Sequence, residues 1–140
     1  MRVAATRKRL PALLVLAVAA CGRLDAEEAR ICRIALPALN PPGGAITVLS
    51  QEAGAERGTV RIAYRVEREG ATTERSAVCR FGPRISRNRP QLVGIATESG
   101  PLSGASVHLL QRYYVFTPEG AAGDPGPPQA GDGKPRFRLW

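Results

Sequence analysis

The sequence predicts an α+β fold, a small antiparallel sheet of about four strands packed with an N-terminal and a C-terminal helix. Three observations carry this. Residues 59–67 alternate strictly, with Val60, Ile62, Tyr64 and Val66 set between Thr59, Arg61, Ala63, Arg65 and Glu67, which is the pattern of a half-exposed strand in an antiparallel sheet. Residues 25–36 carry helix-start and helix-stop signals around an apolar stripe. Pro- and Gly-containing stretches cut the remainder into short segments. Three units follow: a leader over 1–20, one domain over 21–117, and a disordered tail over 118–140.

The leader has Arg2, Arg7, Lys8 and Arg9, no acid, and then an apolar run from Leu10 to Ala20 broken only by Pro11. A basic head, a short apolar run and small residues at its end define a secretory signal peptide. The run is about half of the ~20 residues that span a bilayer as a helix.

In the 25–36 helix, Asp25 stands at the N-cap with Glu28 three residues on. Acids lead (Asp25, Glu27, Glu28) and bases follow (Arg30, Arg33), as the helix dipole favours. Ala29, Cys32 and Leu36 share a face, and Pro37 stops the helix. Asn40–Gly44 is a loop, 46–49 a short strand, and the polar stretch 51–58 a hairpin connection. After the 59–67 strand, Glu69-Gly70 makes a turn and 72–81 returns with Thr73, Arg75, Ala77, Cys79 and Phe81 on one face. Residues 82–90 form a basic loop with Arg84, Arg87 and Arg89. A further strand covers 92–97, and Gly100-Pro101 breaks the chain. Ser103 caps a helix over 105–116, with Val107, Leu110 and Tyr114 at helical spacing, although Tyr113–Phe116 also has strand character. The aromatic residues here read as core. From 118 onward Pro, Gly, Ala and Asp dominate, too little apolar surface to order the chain.

The last leader residues, Val18-Ala19-Ala20, stand before Cys21. This quartet resembles the lipobox of bacterial lipoprotein precursors, and the resemblance covers the leader and Cys21 only. It implies a diacylglycerol thioether on Cys21, cleavage before it, and an anchor in the membrane facing the periplasm. Gly22, rather than an aspartate, favours the outer membrane. Cleavage by an ordinary signal peptidase, giving a soluble periplasmic protein, is the alternative. The chain has three cysteines, Cys21, Cys32 and Cys79, an odd number for an exported protein. Acylation of Cys21 leaves Cys32 and Cys79 to pair, stapling the first helix to the sheet; two buried free thiols are the alternative. No Cys-x-x-Cys spacing and a single histidine, His108, argue against a redox or metal site.

Removing residues 1–20 leaves 120 residues with sixteen of the twenty basic residues and all twelve acids, so the net charge falls from +8 to +4. The arginines are scattered, which excludes a nucleic-acid surface as the expectation. Candidate anion or partner contacts are Arg61 and Arg65 on the wet strand face and Arg84, Arg87 and Arg89 in the loop. No nucleophile, base or paired carboxylates gather in the sequence, and no cofactor is expected. The expected role is a non-enzymatic accessory module, tethered to a membrane through Cys21, with an envelope protein as partner. A small-ligand binder or enzyme released into the periplasm is the alternative.

Overall fold

A computed structural model describes residues 22–84 and 89–130. The first helix, α1 (Ala26–Ala35), begins where Asp25 Oδ1 accepts hydrogen bonds from the Glu27 and Glu28 amides, both at 3.0 Å. Those are two of the four amides that a helix start leaves without partners. Ala29, Ile31, Cys32, Ile34 and Ala35 are buried. Pro37 converts the end of the helix into a 3-10 turn over Leu36–Leu39.

Five strands follow: β1 (Ala45–Ala53), β2 (Thr59–Arg68), β3 (Ala71–Phe81), β4 (Leu92–Thr97) and the two-residue β5 (Gly100–Pro101). They form one antiparallel sheet in chain order. β2 buries Val60, Ile62, Tyr64 and Val66 as its alternation predicts. Glu69 and Gly70 join β2 to β3 with φ of 52° and 77°. Positive φ at both central residues is what a two-residue hairpin requires to match strand twist.

The sheet departs from expectation at two places. β1 runs on to Ala53, through residues expected in the hairpin connection. It does so because Leu49 is an extra, unpaired residue between the Val48–Tyr64 and Ser50–Ala63 pairs. The bulge reverses which side chains face inward, so Val48 and then Gln51 point to the core side. Gly100-Pro101, expected as a break, is a short fifth strand against Ala96 and Thr97.

α2 (Gly104–Leu110) is capped by Ser103, whose Oγ accepts from the Ser106 amide at 3.1 Å. The helix does not continue unchanged to Phe116. Residues Gln111–Val115 form a π-helical turn, which adds a residue to the turn and shifts the apolar stripe. Val107 and Val115 are buried and Tyr114 is partly buried, while Leu109, Tyr113 and Phe116 are 54%, 67% and 36% exposed. The expectation that this aromatic cluster is core is therefore corrected for Tyr113 and Phe116.

Residues 118–122, expected within a disordered tail, instead form a helix. α3 (Pro118–Ala122) is capped by Thr117, whose Oγ1 accepts from the Gly120 amide at 3.1 Å. Gly120 is buried against the Tyr114 backbone and Ile34, and Asp124 reaches Arg33 of α1. Polar anchoring and close backbone packing, rather than apolar side chains, hold 118–124 in place. Residues 131–140 lie outside the described residues.

α1, α2 with its π turn, and α3 share one side of the sheet. Between them lies the core, with Ile31, Ile34, Leu36, Ile62 and Tyr64 at most 1% exposed. Cys32 and Cys79, also buried, form a disulfide across 47 residues, with Cα atoms 5.9 Å apart. It joins α1 to β3 through the middle of the core. Closing a loop of that length contributes about 4 kcal/mol in the chain-entropy account.

Candidate functional site

Among the described residues, no helix covers the opposite side of the sheet. Its central strands present Arg61, Val78, Arg80, Val93, Gly94 and Ala96 to a shallow cleft of about 450 Å³. Register explains the grouping. Arg61 faces Val78, Arg80 lies two residues further along β3, and Gly94 faces Arg80. Arg61 and Arg80 are thus diagonal neighbours on one face. Gly94 gives the Arg80 guanidinium room to lie across β4: a Cβ there would come within 3.3 Å of its Nη2. Loop residues Gly54–Glu56 wall one side of the cleft and Pro101–Gly104 another. Among the described residues neither Arg61 nor Arg80 makes a salt bridge. An apolar floor beside two guanidiniums suits a group with an anionic head and an apolar body, or a protein surface of that character.

The five arginines expected as contacts do not converge on this cleft. Arg61 belongs to it. Arg65 is on the same face but is taken up by Glu74, its cross-strand partner, at 3.7 Å. Arg84 donates to Asp25 Oδ1 at 3.0 Å, tying the loop after β3 to the cap of α1. Arg89 lies over the Phe116 ring, 5.5 Å from its centroid. Arg87 and Cys21 fall outside the described residues. Arg80, absent from the expected set, is exposed on β3 at an outward position. The alternation that places Arg75, Ala77 and Cys79 on one face places Arg80 on the other, so that signal was present in the sequence.

A second cleft, of about 780 Å³, separates residues 22–25 and Glu28 from the β1–β2 loop. Its lining mixes Arg23 and Arg57 with Glu28, Glu52 and Glu56. Partial burial and the adjacent Asp25 raise the Glu28 pKa above the ordinary carboxylate value. Next to it, the hydrogen bond from Arg30 lowers that of Glu27.

Deeper in the domain, Tyr64 is 1% exposed, and its hydroxyl accepts from Asn40 Nδ2 at 3.1 Å. Burial raises its pKa, against the opposing effect of the Asn40 bond. This pair closes the top of the core and opens into neither cleft. Among the described residues no group of three or more His, Cys, Asp and Glu is placed to hold a metal ion, and no helix is long and apolar enough to cross a membrane.

Neither a protein family, a curated protein nor a solved structure matches this chain.

Proposed function

We propose that this chain is an exported envelope lipoprotein, anchored through Cys21, whose domain is a non-enzymatic interaction module. The observation that carries the reading is the cysteine arrangement. Cys32 and Cys79 are joined, which suits an oxidising compartment and leaves Cys21 as the third cysteine of the chain. Cys21 directly precedes Gly22 and follows the lipobox-like Val18-Ala19-Ala20. Acylation there would attach lipid four residues ahead of Asp25, the α1 cap.

The bare sheet face supports the interaction half of the reading. It offers an apolar floor, two arginines that make no salt bridge among the described residues, and one cross-strand pair, Arg65–Glu74, at its margin. The partner expected there is an envelope protein with an acidic, partly apolar surface.

Fractionation tests the anchor. The wild-type chain is expected in the membrane pellet, resisting salt and alkaline washes and released by detergent. A chain carrying Cys21→Ala behind an ordinary cleavable leader is expected in the periplasmic extract. Equal solubility of the two forms contradicts the proposal.

A further inference from the structure

The third exposed feature is the outer face of α2 and its π turn. Leu109, Tyr113 and Phe116 stand out of the fold at 54%, 67% and 36% exposure. Two arginines frame them. The Arg112 guanidinium lies 5.7 Å from the Tyr113 centroid, and that of Arg89 lies 5.5 Å from the Phe116 centroid. No acid occurs anywhere from Ser103 to Thr117. Exposed aromatic and aliphatic side chains framed by arginine, on a helix whose opposite face enters the core, match the composition of a helix lying in a bilayer interface.

The place of this face in the fold says what covers it. β1 and β3 finish, and β2 and β4 begin, at one end of the sheet. The chain enters the domain at that same end: a Cβ on Gly22 would sit 3.7 Å from that of Ala53, the last residue of β1. The π turn reaches it too, since Gln111 Oε1 accepts from the amide of Leu92, the first residue of β4, at 2.7 Å. Arg89, over the Phe116 ring, brings a second guanidinium to this face. Of the acids at this end, Asp25 is paired with Arg84 and Glu27 with Arg30, while Glu28, Glu52 and Glu56 line the second cleft. The chain therefore enters the domain at Gly22, at the same end of the sheet that the π turn reaches.

We infer that Leu109, Tyr113 and Phe116, with Arg89 and Arg112, dock the domain onto an anionic phospholipid surface. The apolar side chains enter the headgroup–acyl boundary and the guanidiniums meet lipid phosphates. The anchor fixes the chain to the bilayer; this face fixes how the domain lies on it and leaves the bare sheet face open. The inference rests on the export in the proposed function, but not on acylation.

The test uses the full mature chain with Cys21→Ser, exported behind an ordinary cleavable leader and carrying no lipid. It is sedimented with vesicles of phosphatidylcholine alone or mixed with phosphatidylglycerol, at low salt. Binding is expected to be about thirtyfold stronger to the mixed vesicles, given two arginines at the surface. The pair Leu109→Ser and Tyr113→Ser removes it, while Val93→Ser on the sheet face leaves it intact. An intact Cys32–Cys79 bridge and unchanged circular dichroism show that each variant is folded. No preference for phosphatidylglycerol, or equal binding by the Leu109/Tyr113 variant, overturns the inference. A free Cys21 thiol in the wild-type protein contradicts the anchor alone and leaves the vesicle result standing.

Discussion

Arg33 of α1 and Asp124 of the C-terminal segment form a two-pronged ion pair. Nε lies 3.0 Å from Oδ1 and Nη2 lies 3.1 Å from Oδ2. The third guanidinium nitrogen, Nη1, donates to Gln51 Oε1 at 2.9 Å. One buried arginine thus ties together the first helix, the edge strand and a segment 91 residues away. The β1 bulge at Leu49 is part of the arrangement, because it turns Gln51 toward the helix side.

Removing one member of this pair leaves a buried guanidinium without its counter-charge. Asp124→Ala is expected to lower stability by about 3 kcal/mol in urea unfolding and to open residues 118–130 to protease. Replacing both residues by leucine is expected to recover most of the loss. An Asp124→Ala protein within 0.5 kcal/mol of wild type, with no new cleavage, would show that the pair does not hold the segment.

Gly120 supplies the second hold on that segment. A Cβ there would collide with the Tyr114 backbone carbonyl and crowd Ile34. Gly120→Ala is expected to cost about 1–3 kcal/mol. Gly104, at the start of α2, faces open space, so Gly104→Ala is expected to be neutral or slightly stabilising. Thermal melts of the two variants separate crowding from a general glycine effect.

These long-range features mark what could be read from the sequence and what could not. The Asp25 and Ser103 caps and the Val60–Val66 alternation were legible because each depends on residues within a turn or on one strand. The Cys32–Cys79 pairing followed from cysteine arithmetic joined to a placement of both residues on inner faces. The Leu49 bulge, the π turn and the Arg33–Asp124 pair have no local signature. Asp124 sits among Pro and Gly, and composition alone gives no sign of a partner on α1. Arg61 was placed on the wet face by alternation, whereas its neighbour Arg80 becomes part of a site only once β2 and β3 are aligned.

The disulfide is expected to dominate stability. Cys32→Ala together with Cys79→Ala should lose about 4 kcal/mol of the wild-type stability, read by urea unfolding. Reductant should produce a loss of similar size in the wild-type protein and none in the double variant. Equal unfolding midpoints with and without reductant, after complete reduction is verified by alkylation, would contradict this.

Tyr64 sets an alkaline limit. Its pKa is raised in the fold by burial, so the unfolded chain ionises first as pH increases. The stabilising effect of keeping the hydroxyl neutral is whole below the ordinary tyrosine pKa of about 10. It is lost as pH rises through the higher folded value. Urea unfolding at stepped pH should show stability falling above this point, and Tyr64→Phe should make that fall shallower. An unchanged slope in the variant would assign the alkaline loss to other groups.

Mass spectrometry of the N-terminal peptide from protein taken out of the membrane fraction, without reduction, tests the central claim most directly. A peptide beginning at Cys21, heavier by a diacylglyceryl group, with or without a further acyl chain on its amine, is expected. A peptide that begins at Cys21 with a free thiol, or one cut elsewhere and carrying no lipid, would contradict it.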